Sequence, residues 1–151
     1  MTEGAGHDTD QEPQRHTGHL IRRAQQVHVA TWMRTVSTEI STVQYSVLVV
    51  LDRCGELSQR ELGEAVDLDR STIADLVARM EGHGLVRRRP DPRDGRRKTV
   101  RLTDHGLAER RRLRPLVHRV EEQLTGSLPG ETRDALRSAL RLLLAHQGRT
   151  P

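Results

Sequence analysis

The stretch from Leu57 to Leu102 most narrows what this chain can fold into. It holds two short amphipathic segments, a turn between them, and then a basic run interrupted by prolines and a glycine. Ser58 followed by Glu61 is a capping-box pair, in which the hydroxyl accepts an orphan backbone N–H and the carboxylate returns the favour. Leu62, Ala65 and Val66 give the helix that follows a narrow apolar side. A turn at Asp67-Leu68-Asp69 comes next, with Asp69 placed to cap a second helix. There Ile73, Leu76, Val77 and Met80 fall at i, i+3, i+4 and i+7, which predicts one buried stripe. The opposite face carries Ser71, Asp75 and Arg79, with Arg70 and Thr72 flanking near the start. These side chains are short or forked, and can hydrogen-bond base edges in a groove. Gly82 and Gly84 end the helix.

Val86-Arg87-Arg88-Arg89 and Lys98-Thr99-Val100-Arg101-Leu102 can then pair as two strands. Pro90, Pro92 and Gly95 force the reversal between them, and Arg93, Arg96, Arg97 and Lys98 cluster at or just after its tip. A helix-turn-helix followed by a basic two-stranded wing is a winged helix, so the fold class is mainly α with a small β-wing. Such a fold sets its second helix in the major groove of DNA while the wing reaches the neighbouring minor groove.

The segment LDRSTIADLVARMEGHGLVRRRPDPRDGRRKTVRLTDHG resembles the winged helix of MarR-type transcriptional regulators, most specifically in the DPRDGR wing tip and the LT-x-x-G entry into the next helix. The likeness runs from about His19 to His146. It implies a helical dimerisation region formed by the first helix and the C-terminal helices. The expected DNA contacts are Arg70, Ser71, Thr72 and Asp75 from the recognition helix, and Arg93, Arg96 and Arg97 from the wing. Arg96 is the candidate for minor-groove insertion, and Ser58 and Gln59 stand at a helix N-terminus suited to phosphate.

The rest of the chain fits one domain. Residues 1–15 are polar and acidic, with Glu3, Asp8, Asp10 and Glu12, and read as a disordered tail. Residues 16–147 read as one unit, with dimerisation helices at about 16–40 and 104–147 around a winged helix at about 42–103. The first helix, about His16 to Ser37, is apolar on more than one side. Ser41 to Tyr45 opens a second helix that ends near Cys54-Gly55. Thr103 caps a long helix in which Pro115 predicts a kink or break. The last helix carries Leu136, Leu140, Leu143 and Leu144, a stripe suited either to a partner helix or to the chain's own core. One recognition helix reads only a few base pairs, and two-fold pairing on a palindromic operator supplies the rest, so a homodimer is expected.

The net charge of +4 hides an asymmetry. From Arg87 to Arg114 there are twelve Arg and Lys against four Asp and Glu, a local +8, which leaves −4 for the remainder. A basic segment in a mildly acidic protein is an electrostatic footprint for double-stranded DNA, although Arg110-Arg111-Arg112 alone would read as a solvated face. There is no apolar run long enough to span a membrane and no signal-peptide pattern. A single cysteine, Cys54, excludes an intramolecular disulfide and fits a reducing cytoplasm.

GHLIRRAQQVHVATW, with STVQYSVLVVL after it, is similar to the PcaV-type branch of the family, which responds to protocatechuate and related aromatic acids. On that resemblance Arg22 and His28 match a ligand-binding arginine and histidine, and His19, Gln26 and Trp32 join them as candidates. A guanidinium fork suits a carboxylate, an imidazole can bond a ring hydroxyl, and an indole can wall an aromatic pocket. Arg22 and His28 lie about 120° apart on one helix, so they would flank a ligand or act across a dimer. Read from the residues alone, Arg22 can equally be solvated or paired, and His28 and Trp32 can be plain core.

Redox and metal sensing are the alternatives. Cys54 has no second cysteine to resolve it and reads as a small buried residue. His16 and His19 have i, i+3 spacing, but no cluster has zinc spacing, and His83 and His105 read as surface residues. No cofactor is implied. An enzyme lacks support, since no phosphate loop, nucleophile elbow or zinc-protease motif is present. Asp91, Asp94 and Asp104 sit among arginines, where they shape the wing. A helical adaptor would leave the DPRDGR wing unexplained.

Overall fold

The structure is a computed structural model, and it describes residues 15–147. The tail expected over residues 1–15 therefore lies, but for Arg15, outside the described residues. The elements in chain order are α1 (Thr17–Thr35), α2 (Thr42–Cys54), β1 (Glu56–Ser58), α3 (Gln59–Ala65), α4 (Arg70–Gly82), β2 (Val86–Pro90), β3 (Lys98–Leu102), α5 (Asp104–Thr125) and α6 (Gly130–Gln147).

Local chemistry sets most of these boundaries. Ser41 and Gln44 form a capping box at α2, and Ser58 and Glu61 form another at α3. Asp69 caps α4 through Thr72 N, and Thr103 caps α5 through Gly106 N. Gly84, at φ 72°, makes the exit from α4, while Gly82 is still helical.

The wing has three strands rather than the expected two. β1 pairs antiparallel with β3, Leu57 opposite Val100, and β3 pairs with β2 on its other side, giving the order β1-β3-β2. Gly55, at φ 80°, turns the chain from α2 into this short strand.

The core is mostly aliphatic, in a chain without phenylalanine, with Trp32 and Tyr45 as its aromatic members. Val47, Leu48 and Leu51 of α2 meet Leu62 of α3, the stripe Ile73, Leu76, Val77 and Met80 of α4, and Val86, Val100 and Leu113. Burial of this kind stabilises by about 25 cal/mol per Å² of apolar surface. The LT-x-x-G motif has a packing reason. A Cβ on Gly106 would lie 1.9 Å from the Leu85 carbonyl oxygen, so only glycine lets α5 start so close to the chain between α4 and β2. Thr103 locks that approach, its hydroxyl donating to the Gly84 carbonyl while its oxygen accepts from Gly106 N at 3.0 Å.

Three further expectations change. α5 runs unbroken through Pro115, which lies with Arg111 on the exposed side, where water can serve the carbonyl that loses its donor. Cys54 is exposed, because α2 has run past the core by its last residue. Ala65 is exposed and Val66 only half-buried, so the apolar side of α3 is reduced to Leu62 and Gly63.

Two helices keep their apolar sides uncovered. α6 buries none of its residues, with Leu136, Leu140, Leu142, Leu143 and Leu144 all exposed, and so are Leu20, Ile21, Val27 and Met33 of α1. α1 is anchored at its other end, where Trp32 donates Nε1–H to the Ile40 carbonyl at 2.7 Å and Thr35 bonds Gln123 of α5.

Candidate nucleic-acid interface and effector cavity

The start of α4 is pre-organised by one carboxylate. Asp69 accepts from Thr72 N at 2.8 Å, from the Thr72 hydroxyl at 2.9 Å and from the Ser71 hydroxyl at 2.9 Å. These bonds, the Thr72 backbone first, hold the Asp69 carboxyl down at about 2. Ser71 and Thr72 thus spend their hydroxyl protons on the cap, leaving oxygen lone pairs, not donors, for an incoming base. Ser58 is committed in the same way, accepting from Glu61 N at 3.2 Å and donating to Glu61 Oε2 at 2.7 Å. Arg70, Asp75 and Arg79 are exposed, with no ion pair or hydrogen bond of their side chains among the described residues.

The wing tip is folded by its aspartates. Asp91 Oδ1 accepts from Arg93 N at 2.8 Å and Asp94 Oδ1 from Arg96 N at 3.1 Å, while Asp91 N donates to the Arg97 carbonyl at 2.9 Å. The Arg93 and Arg97 guanidinium groups stand 3.9 and 3.6 Å from Asp91 and Asp94, loose pairs that water can open. Arg96 has no side-chain partner among the described residues. Asp104 takes no part in the turn and sits in the first turn of α5.

At the wing's base lie two glutamates that sequence reasoning missed. Glu56 of β1 takes Arg89 bidentately at 2.7 and 2.6 Å and also accepts the Thr99 hydroxyl, contacts that bring its carboxyl to about 2. Glu81 of α4 accepts the backbone N–H of Arg88 at 3.0 Å and its Nε at 2.8 Å. The first joins all three strands, and the second joins the wing to the recognition helix. An acid seven residues before an arginine across a glycine turn was the only signal for the second. The first had none, because it depends on the pairing of β1.

Between α3, the start of α4 and the wing runs a groove of about 820 Å³, lined by Ser58, Gln59 and six cationic side chains, Arg60, Arg70, Arg88, Arg96, Arg97 and Lys98. Glu64 is its one acid among the described residues and is occupied by Arg60 at 3.0 Å. Gln59 brings a buried Oε1 without a hydrogen-bond partner. The groove therefore unites Ser58, Gln59, Arg70, Arg96 and Arg97, while Ser71, Thr72, Asp75 and Arg93 stand outside it. An open channel with this charge can hold a polyanion.

A second cavity, about 530 Å³, lies where α1, α2, the α3–α4 turn and α5 converge. His28 and Trp32 line it, with Tyr45, Thr42, Ser46 and Asp67 as further polar groups and Val49, Val50, Val66 and Val117 as apolar walls. Trp32 meets the His28 ring edge-on at 6.4 Å and the Tyr45 ring at 5.6 Å. Arg110 lies 5.2 Å over the Tyr45 ring and donates to its hydroxyl at 2.8 Å, yet burial pushes the phenol's pKa up. Arg22, His19 and Gln26 do not line this cavity. Arg22 stands 3.3 Å from His19 Nδ1, and Gln26 accepts from Arg23 at 3.2 Å. Straight helical geometry puts them on other faces of α1. No group of three or more potential metal ligands occurs among the described residues, and no described helix is long and apolar enough to cross a membrane.

Residues 40–98 match the MarR family. The chain is 34% identical over 128 residues to the HTH-type transcriptional repressor NicR of Pseudomonas putida, covering 84% of this chain and 81% of that protein. It superposes on the PcaV transcriptional regulator of Streptomyces coelicolor, crystallised with its natural ligand, with a TM-score of 0.83 and 41% identity, over 86% of this chain and 92% of that one. The BpsR protein of Bordetella bronchiseptica, whose DNA binding is regulated by 6-hydroxynicotinic acid, superposes with a TM-score of 0.76 and 30% identity, over 83% of this chain and 96% of that one.

Proposed function

The chain belongs to the MarR family of transcriptional regulators, and from that premise we propose that it is a homodimeric repressor released from a palindromic operator by a small aromatic acid or phenol. The observation that carries this reading is the pairing of a cationic groove at the recognition helix with an aromatic-walled cavity behind the turn that leads into that helix. It is a binding protein rather than an enzyme, and it works on the chromosome in the bacterial cytoplasm. α1, α5 and α6, about residues 16–40 and 104–147, form the dimerisation region, and residues 42–103 the DNA lobe.

In this reading Arg70 and Asp75 meet bases or nearby phosphates from α4, with Ser71 and Thr72 acting as acceptors unless they leave Asp69. Arg96 enters the minor groove, Arg93 and Arg97 exchange their loose aspartate pairs for phosphate, and Ser58 and Gln59 sit by the backbone at the start of α3. The effector occupies the cavity between His28 and Trp32. Arg22, which is outside the cavity of its own subunit, reaches the ligand's carboxylate from the second copy, with His19 and Gln26 near it on α1. Release follows if the ligand prefers the spacing of recognition helices that does not fit the operator.

The experiment is a titration of the operator complex, followed by fluorescence anisotropy, with benzoates, hydroxybenzoates, cinnamates and catechols. Release by an aromatic acid that is lost in Arg22→Ala, while operator affinity stays intact, is the expected result. Tight operator binding untouched by any aromatic would remove the effector reading and leave the DNA-binding one.

A further inference from the structure

We propose that Asp67 selects the effector, accepting a hydrogen bond from a ring hydroxyl so that the cavity takes hydroxylated aromatic acids in preference to unsubstituted ones. The inference rests on the reading of that cavity as the effector site.

Asp67 lines the cavity together with the apolar Val49, Val50, Val66 and Val117, and its carboxylate has no hydrogen bond or ion pair among the described residues. Among the described residues of the same subunit no arginine or lysine lines the cavity, and His28 is its only potentially cationic lining group. The electrostatics therefore orient a ligand. An aromatic carboxylate is repelled from the Asp67 end, so the acid points away and the far edge of the ring faces Asp67. Benzoate offers a C–H there, which the carboxylate cannot use. A hydroxybenzoate offers an O–H, and O–H···O⁻ belongs to the stronger, charge-assisted class of hydrogen bond. Selection by a donor that meets a waiting acceptor is sharper than selection by size alone.

The position of Asp67 couples the contact to DNA. It has φ 55°, the one positive φ of a non-glycine residue among those described, and it begins the turn into the recognition helix. Leu68 N closes that turn on the Gly63 carbonyl at 2.9 Å, and Asp69 caps α4 immediately after. A hydroxyl held by Asp67 thus pulls two residues ahead of the cap. Aspartate, asparagine and glycine accept this left-handed conformation, so the turn can be kept while the carboxylate is removed.

The test is calorimetric binding of benzoate, 3-hydroxybenzoate and 4-hydroxybenzoate to the full-length protein and to its Asp67→Asn and Asp67→Gly variants, with operator affinity measured alongside. At least one hydroxybenzoate is expected to bind the parent protein about tenfold tighter than benzoate. That preference should shrink in Asp67→Asn and vanish in Asp67→Gly, with operator affinity unchanged within about twofold. Equal binding of all three acids to the parent protein, or a preference that survives in Asp67→Gly, overturns the assignment of Asp67. Absence of binding by every acid to a protein that still holds its operator overturns the effector cavity itself, and Asp67 with it.

Discussion

Glu81 grips Arg88 twice, accepting its backbone N–H at 3.0 Å and its guanidinium at 2.7–2.8 Å, and so ties the last turn of the recognition helix to β2 of the wing. The hydrogen bonds draw the Glu81 carboxyl below its usual range, the backbone bond being the largest cause. Because the two DNA-reading elements are joined here, their relative pitch does not have to be set by the operator.

Glu81→Ala should therefore weaken operator binding although Glu81 carries the wrong charge to touch phosphate. The Arg88 and Glu81 side chains remain 26% and 34% exposed, so the loss of stability is modest, about 1 kcal/mol. Operator affinity should fall several-fold more than that stability loss explains. Urea unfolding beside anisotropy separates the two, and a variant that binds as well as the parent protein would mean the wing needs no such brace.

Gly106→Ala should be among the most damaging single substitutions. The added carbon would sit 1.9 Å from a backbone oxygen, and neither α5 nor the Leu85 segment can yield without opening the Thr103–Gly84 lock. A loss of about 3 kcal/mol is expected by chemical denaturation. Gly82→Ala, whose Cβ meets nothing within 4 Å, is the control and should be nearly neutral or mildly stabilising.

These two cases show what was legible in the chain. The caps at Ser58, Asp69 and Thr103 and the stripe from Ile73 to Met80 are local, set by residues within a turn or two of each other, and they stand where their spacing puts them. Glu56 meets Arg89 across 33 residues and only because β1 pairs with β3, and a three-residue strand has no periodicity to read. Ala65 looked like core because a helix pattern reports apolarity, not whether a cavity faces it, and it lines the second cavity. Of the ligand candidates on α1, His28 and Trp32 converge on that cavity. Arg22, about 120° from His28 on the same helix, does not.

Acid should unfold the DNA lobe through Asp69 and Glu56. Their folded values lie near 2, below ordinary values of 3.8 and 4.5, so each contributes stability that is complete above about pH 4.5 and is lost as pH falls towards 2. Thermal melts followed by circular dichroism from pH 6 to pH 2 should drop mainly within that window. Glu56→Gln cannot take up the proton, so its profile there should be shallower than the parent's; an identical slope would show that the Glu56–Arg89 pair adds nothing in solution.

Arg96→Ala should lower operator affinity and reduce the slope of log K against log salt by about one. Arg96 is the wing-tip arginine whose side chain has no partner among the described residues, so removing it disturbs no intramolecular pair. Arg97→Ala also releases Asp94, and its effect on the slope should be blurred by that. An unchanged slope for Arg96→Ala would take it out of the interface.

The exposed leucines of α6 give the last expectation. An 18-residue helix that buries none of its own residues is marginal in water, since tertiary packing supplies most of a helix's stability. Among the described residues α6 is tied to α5 by the Arg137–Glu121 pair and to the turn before it by the Arg133 bond to the Leu128 carbonyl, too little to offset five exposed leucines. A second copy that covers this face together with Leu20 and Ile21 of α1 resolves the imbalance. Leu140→Arg combined with Leu143→Arg should then convert dimer to monomer in sedimentation, and lower helicity by roughly the share that α6 contributes. Operator affinity should collapse with it, because a lone recognition helix reads too few base pairs. A double variant that remains dimeric would put the interface on α1 and α5 alone, and would leave the leucines of α6 unexplained.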